Sequence, residues 1–126
     1  MKILAIDDNQ KVLTQLTELL APSCEVDLAT NGLDAQEKMQ SKKFDLLIVD
    51  HLMPLMNGVQ LLKNLHQQGK EHYIPSIFMT TQGSCSVKEL LEQRLCDYII
   101  DKPLDEIKLL SLIQQLNKQN TVCHSL

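Results

Sequence analysis

The chain has 126 residues, with 12 Lys plus Arg against 16 Asp plus Glu, so its net charge at neutral pH is −4. This length fits a single domain, and the acidic balance argues against a nucleic-acid-binding surface. A hydrophobic content of 44% and a charged content of 22% are typical of a globular protein and speak against intrinsic disorder.

The sequence predicts neither a membrane span nor a secretion signal. No apolar run approaches the roughly 20 residues that a bilayer-spanning helix needs. The short apolar stretch after Met1 leads directly into Asp7 and Asp8, unlike a signal peptide, so we expect a cytoplasmic protein that does not bind membranes. The cysteines form no Cys-x-x-Cys pair, which argues against a zinc site or a redox dithiol; they are Cys24, Cys85, Cys96 and Cys123.

Short apolar runs alternate with segments of helical period, which is the pattern of βαβ units in a parallel sheet. The runs lie at 3–6, 26–28, 46–49, 77–79 and 99–100, and a predicted helix follows each of them. Val26 and Leu28 alternate with acidic residues, which predicts an edge strand. The continuous run at 46–49 predicts a central strand that is covered on both faces.

These elements predict an α/β fold, a (βα)5 doubly wound domain whose parallel five-stranded sheet has the flavodoxin-like strand order 2-1-3-4-5. We assign residues 1–118 to this domain and residues 119–126 to a frayed C-terminal tail that is too short for an effector domain. Leu104, Leu109 and Leu112 add apolar positions to the last helix. They indicate either a dimer or partner face, or a wide stripe that faces the core.

The candidate functional residues follow the predicted strands, because in an open parallel sheet the functional crevice lies at the carboxyl ends of the strands. From the first strand to the fifth, the residues at these ends are Asp7 and Asp8, Asp50, Thr80, and Asp101-Lys102-Pro103. We therefore expect carboxylates, a hydroxyl and an ammonium group to converge at one edge of the sheet.

Several carboxylates at one edge repel one another unless a cation lies between them. Oxygen ligands without a competing set of His or Cys favour a hard ion such as Mg²⁺. Lys102 and Thr80 suit the oxygens of a phosphoryl group. One carboxylate then remains as a nucleophile that forms an acyl phosphate, and Asp50 on the central strand is the best-placed candidate.

Four segments together resemble the receiver domain of two-component response regulators, over residues 2 to about 117. They are residues 3–9 (ILAIDDN), 47–58 (LIVDHLMPLMNG), 74–81 (IPSIFMTT) and 101–103 (DKP). Each segment alone is a weak signal, whereas their order and spacing together are specific.

The resemblance implies a role for each matching residue. Asp50 would be the phosphoacceptor, and Asp7 and Asp8 would hold Mg²⁺ together with Asp50 and the backbone carbonyl of Leu52. Lys102 would contact the phosphoryl group through a segment with a cis Lys102–Pro103 bond, and Thr80 would be the switch hydroxyl.

The aromatic switch residue of the family lies three positions before the lysine, where this chain has Ile99, and Tyr98 is one residue away. Strand alternation places Tyr98 on the opposite face of the sheet unless a bulge intervenes. Ile99 and Tyr98 are therefore both candidates for the switch position.

The resemblance also implies partners. The phosphoryl group would come from a phosphohistidine on a sensor histidine kinase or a histidine phosphotransfer protein, and the domain would catalyse its own phosphorylation without turning over a separate substrate. A downstream protein target would bind the face formed by helix four, strand five and helix five, and phosphorylation could also drive a homodimer.

The main alternative is a degenerate receiver that binds a protein partner without being phosphorylated, and the complete set of Asp7, Asp8, Asp50, Thr80 and Lys102 argues against it. A flavodoxin-like electron carrier would need a phosphate-binding loop after the first strand, where two carboxylates stand instead. An aspartyl phosphatase would place its nucleophile after the first strand and carry a cap domain. The candidate nucleophile here, Asp50, follows the third strand, which argues against this class of enzyme.

Other polar residues receive no function from the sequence. His51, directly after Asp50, is interpreted as a partly exposed side chain, and Thr81 and Asp101 are interpreted as ordinary flanking residues. The remaining histidines, to which we assign no role, are His66, His72 and His124.

Overall fold

The computed structural model describes residues 1–69, 73–83 and 87–125, with side chains described up to residue 117. The strands are β1 Lys2–Ile6, β2 Glu25–Ala29, β3 Leu46–Asp50, β4 Ser76–Thr80 and β5 Tyr98–Asp101. The helices are α1 Gln10–Leu20, α2 Gly32–Ser41, α3 Gly58–Gln67, α4 Glu89–Glu92 and α5 Glu106–Ser125. Neighbouring strands are parallel in the order β2-β1-β3-β4-β5, so the predicted fold and strand order are confirmed.

Three helices are directly preceded by an asparagine whose side chain caps the first turn. The side-chain oxygens of Asn9, Asn31 and Asn57 each accept a hydrogen bond from a backbone N–H two or three residues later, at 2.8–2.9 Å. A short polar side chain at this position satisfies an N–H that has no partner within the helix. The caps thus define where the loops after β1, β2 and β3 end.

Alternation along the strands divides the core into two layers, one on each face of the sheet. One layer joins strand residues to α2, α3 and α4, and its members include Leu4, Leu47, Phe78, Ala35, Leu61 and Leu90. The other joins strand residues of opposite parity to α1 and α5, and its members include Ile3, Ile48, Ile77, Leu16 and Leu109. Helices therefore cover both faces, and the carboxyl edge of the sheet is left for polar residues.

The strand positions agree with the sequence patterns. β2, with its alternating acidic residues, lies at the edge of the sheet, and β3 lies in the centre. Every residue of β3 is buried, whereas Glu25 of β2 is exposed. The predictions of an edge strand and a central strand are confirmed.

For the last helix, the structure decides between the two alternatives for its leucines and corrects the prediction for its C-terminal end. Leu109 is buried, and Leu104 and Leu112 pack against the core layer of α1 and α5, so these leucines form a core-facing stripe. Residues 119–125 continue α5 and are not the predicted frayed tail. No Gly or Pro stands in this segment to end the helix, and each added residue needs only one more hydrogen bond. The domain boundary at residue 118 stays a prediction.

Some expectations fall outside the described part of the chain. Cys85 and His72 lie in its gaps, and the side chains of Cys123 and His124 lie beyond residue 117. Over the ranges that are described, no helix combines the length and the apolar character needed to cross a membrane.

Gly58 allows the loop after β3 to approach the backbone of Asp50. Its N–H donates to the carbonyl of His51 at 3.0 Å, and a Cβ built on it would lie 2.1 Å from the Asp50 carbonyl oxygen. A methyl group cannot fit there without moving one of the two backbones. We expect Gly58→Ala to lower the free energy of unfolding by about 3 kcal/mol.

Urea unfolding of Gly58→Ala beside Gly83→Ala measures this effect. Gly83 has a φ of +85° but nothing within 4 Å of a Cβ, so alanine there meets only backbone strain of about 1 kcal/mol. Equal losses of stability in the two variants would contradict the close approach at Gly58.

Candidate functional site

Three carboxylates lie together at the carboxyl edge of the sheet. Asp7 directly follows β1, Asp8 comes next, and Asp50 is the last residue of the neighbouring strand β3. Carboxylate oxygens of the three residues lie within 4.8 Å of one another. Asp7 and Asp50 are buried and Asp8 is exposed, so the cluster is open to solvent on one side.

Lys102 reaches this cluster from the end of β5. Its Nζ donates to Asp7 Oδ2 at 2.6 Å and lies 2.8 Å from Asp50 Oδ1. The backbone N–H of Lys102 donates to the carbonyl of Thr80 at 2.8 Å, and the Lys102–Pro103 bond is cis, as the resemblance implied. One ammonium group thus contacts two of the three carboxylates.

The electrostatics of the cluster oppose the ionisation of Asp50. Burial raises the pKa of Asp50 to about 6 against the lowering effect of the Lys102 hydrogen bond, and the charges of Asp7 and Asp8 raise it further. Burial also lowers the pKa of Lys102, but its hydrogen bonds and ion pairs with Asp50 and Asp7 outweigh this, so that pKa lies above its ordinary value. Lys102 is therefore charged at neutral pH. The ionised form of Asp50 is less favourable than that of an ordinary exposed aspartate.

This shift predicts a pH dependence of stability in the absence of divalent cations. Between the ordinary pKa of 3.8 and about 6, folded Asp50 binds more protons than unfolded Asp50, so its contribution to the free energy of unfolding falls as pH rises through this window. Asn at this position does not titrate. We expect the stability of the wild type relative to Asp50→Asn to fall by about 2 kcal/mol from pH 4 to pH 7.

Urea unfolding of both proteins in EDTA across this pH range measures the difference, because the titration of residues away from the site cancels between them. A stability difference that does not change with pH would contradict the raised pKa.

The donor set fits a hard divalent cation. All three side chains offer carboxylate oxygens, which Mg²⁺ prefers, and the exposed side at Asp8 leaves room for the waters that this ion retains. The predicted ligand role of the Leu52 backbone carbonyl stays a prediction; the side chain of Leu52 is exposed.

Thr80, at the end of β4, has a fully buried side chain whose oxygen contacts two partners. The backbone N–H of Gln82 donates to Oγ1 at 3.0 Å, and Nδ1 of His51 forms a second hydrogen bond with Oγ1 at 3.0 Å. The His51 ring packs against Phe78 with 5.2 Å between the ring centroids. Burial lowers the pKa of His51, which favours the neutral imidazole.

No function was predicted for His51, yet its Nδ1 is hydrogen-bonded to the hydroxyl of Thr80, the predicted switch residue. The sequence carries part of the signal for this contact in the alternation of strand residues, and the structure adds the register between the strands. Asp50 lies opposite Met79 in the register of β3 and β4, so the next residues, His51 and Thr80, are neighbours as well. Strand alternation points both toward the face of Phe78.

The two candidates for the aromatic switch position lie on opposite faces. The register of β4 and β5 runs without a bulge from Ile77 opposite Tyr98 to Thr80 opposite Asp101. Tyr98 packs in the layer of α1 and α5 and donates to Gln115 Oε1 at 3.2 Å. Ile99 packs in the other layer, on the face that Thr80 shares. The geometry therefore favours Ile99 over Tyr98 as the neighbour of Thr80, and the switch role itself stays a prediction.

The fold and this edge define a doubly wound α/β domain with a lysine-bridged acidic cluster at the ends of β1, β3 and β5. The family model described as the response regulator receiver domain matches residues 3–114. The chain therefore belongs to the receiver domain family of two-component response regulators.

Individual relatives agree with this assignment. The chain is 35% identical over 115 residues to the probable transcriptional regulator ycf29 of Porphyra purpurea, covering 90% of this chain and 55% of that protein. It is 36% identical over 118 residues to two-component response regulator 24 of Arabidopsis thaliana, covering 90% and 82%.

Solved structures are similar as well. The chemotaxis response regulator CheY4 of Vibrio cholerae superposes with a TM-score of 0.82 at 28% identity, covering 91% of this chain and 97% of that one. Against the ycf29 proteins of Porphyra purpurea and Pyropia yezoensis, the chain spans about half of the relative's length, 55% and 52%.

Proposed function

We propose that this chain accepts a phosphoryl group on Asp50 and changes its binding surface in response. The observation that carries the proposal is the position of Lys102 Nζ, 2.6 Å from Asp7 and 2.8 Å from Asp50 within a cluster of three carboxylates. This arrangement provides a nucleophilic oxygen and a positive charge for phosphoryl oxygens at one edge.

The proposed donor is a phosphohistidine on a sensor histidine kinase or a histidine phosphotransfer protein. An oxygen of Asp50 forms a bond to phosphorus while the phosphorus–nitrogen bond of the donor breaks, and the electron pair of that bond stays with the imidazole nitrogen. Lys102 contacts the phosphoryl oxygens as charge develops on them. The product is an acyl phosphate on the protein itself, so no separate substrate is turned over.

The proposed cofactor is Mg²⁺, held by Asp7, Asp8, Asp50 and the backbone carbonyl of Leu52. When bound, it supplies positive charge that offsets the carboxylates and the phosphoryl oxygens. Asp7 is suited to hold a ligand position because its side chain is fully buried and its Oδ1 accepts a hydrogen bond from the backbone N–H of Asn9 at 2.8 Å.

The proposed response runs through the Thr80 hydroxyl, which forms a new contact with the phosphoryl group and so favours a second conformation. The output face is that of α4, β5 and α5, where Leu91 and Ile107 are exposed apolar side chains. A downstream protein target binds to this face. On phosphorylation, a second copy of the chain can also bind there and form a homodimer. We also propose that the protein is cytoplasmic and that the domain ends near residue 118.

Intact mass after incubation with acetyl phosphate tests the proposal. With Mg²⁺ we expect a gain of one phosphoryl group that hydroxylamine removes, as it cleaves an acyl phosphate, and with EDTA we expect no gain. No gain with Mg²⁺, even with a promiscuous histidine kinase as donor, would overturn the proposal. The chain would then be better described as a binding module that works without phosphorylation.

A further inference from the structure

His51 and Thr80 form a contact that the proposed chemistry does not use. The Thr80 hydroxyl accepts from the N–H of Gln82 and is hydrogen-bonded to His51 Nδ1, both at 3.0 Å. A hydroxyl has one proton and two lone pairs. With Nδ1 as acceptor, the single proton of Thr80 is engaged by His51; with Nδ1 as donor, both lone pairs are engaged. Either tautomer restrains the oxygen.

His51 is well placed to restrain Thr80. The backbone N–H of His51 donates to the carbonyl of Met79 at 2.9 Å, and the backbone carbonyl of His51 accepts from the N–H of Gly58 at 3.0 Å. The ring packs on Phe78, whose side chain is fully buried. The backbone of His51 is therefore attached to β4 and to the start of α3, and its ring contacts both Phe78 and the Thr80 hydroxyl.

We propose that His51 is a positioning residue that holds the Thr80 hydroxyl in the unphosphorylated arrangement, so that switching requires the exchange of this hydrogen bond for one to the phosphoryl group. This inference rests on the proposed function. Because the contact exists in only one of the two conformations, it shifts their equilibrium toward the unphosphorylated one. A net hydrogen bond of ordinary strength corresponds to a shift of about fivefold.

Two substitutions separate the hydrogen bond from the packing of the ring. His51→Phe keeps a ring against Phe78 and removes Nδ1. His51→Asn carries a polar atom near the place of Nδ1 and lacks most of the ring. If the hydrogen bond is what matters, Asn behaves like the wild type and Phe does not. If packing is what matters, Phe behaves like the wild type.

The readouts are the affinity for beryllofluoride with Mg²⁺, as a stable analogue of the phosphoryl group, and the NMR position of the Thr80 methyl signal between its free and beryllofluoride-bound limits. We expect His51→Phe to bind beryllofluoride about fivefold more tightly and to move the free methyl signal toward the bound limit. We expect His51→Asn to remain near the wild type. In a Thr80→Val background, His51→Phe should have no further effect on beryllofluoride affinity.

Each outcome decides between the proposals. A wild type that gains a phosphoryl group while His51→Phe leaves the affinity and the methyl signal unchanged overturns the role of His51 and leaves the phosphoacceptor proposal intact. Equal changes in the Phe and Asn variants, or a Phe effect that persists with Thr80→Val, also overturn it. A wild type that gains no phosphoryl group overturns the proposed function and this inference together.

Discussion

Replacement of Asp50 by Asn is expected to abolish the phosphoryl gain from acetyl phosphate completely. The amide is nearly isosteric with the carboxylate but is not a nucleophile at phosphorus, so no acyl phosphate can form. Asn also removes one negative charge from the cluster with Asp7 and Asp8, which raises stability at neutral pH. A folded and stable variant that gains no mass therefore separates loss of the nucleophile from loss of the fold.

The matched control is Asp105→Asn, the same substitution at a position outside the carboxylate cluster of Asp7, Asp8 and Asp50. Asp105 is exposed and accepts a hydrogen bond from the backbone N–H of Lys108 at 3.1 Å, a contact that Asn also makes. We expect this control to be phosphorylated at the wild-type rate. A mass gain in Asp50→Asn equal to that of the control would mean that another residue accepts the phosphoryl group.

Lys102→Met is expected to affect both stability and chemistry. The ammonium contacts Asp7, which is fully buried, and Asp50, which is 6% exposed. Its removal leaves two adjacent buried carboxylates without a cation, a loss of about 3 kcal/mol in the absence of divalent ions. Phosphorylation by acetyl phosphate is expected to slow by a factor of about 10²–10³, because the phosphoryl oxygens lose a fixed positive charge in the transition state.

Urea unfolding in EDTA and the initial rate of mass gain with Mg²⁺ measure the two effects. Lys108→Met, at an exposed position of α5, removes the same charge away from the cluster, and we expect it to change neither. Mg²⁺ should recover part of the stability of Lys102→Met, since it replaces the missing positive charge. Wild-type stability and rate in Lys102→Met would contradict the role of the bridge.

Much of the site could be predicted from the sequence because its residues are defined by the ends of strands. Asp50 follows a continuous apolar run, and Lys102 precedes the only proline between Pro75 and the end of the chain. The rule that parallel strands present their carboxyl ends at one edge then brings such residues together. The convergence of the carboxylates with Lys102 can therefore be predicted without knowing any individual side-chain contact.

The contact of His51 with Thr80 was not predicted, although strand alternation alone allows it. Each residue is recognisable in the sequence only as the one that follows its own strand, whereas the contact depends on the register between β3 and β4. The close approach of Gly58 to the Asp50 carbonyl depends on the path of a loop, which the identity of the residue does not reveal. Contacts of this kind arise between segments that local sequence patterns treat separately.

The amino-acid sequence by itself determined the (βα)5 order, the edge and central strands and the residues at the carboxyl edge, because these follow from local hydrophobic periodicity and the handedness of βαβ connections. Only the tertiary structure decided that Tyr98 turns toward Gln115, that the leucines of α5 face the core, and that Thr80 is bound to His51. The physical reason is that these outcomes depend on register and packing between elements that are distant in the chain, and several local patterns are compatible with more than one such arrangement.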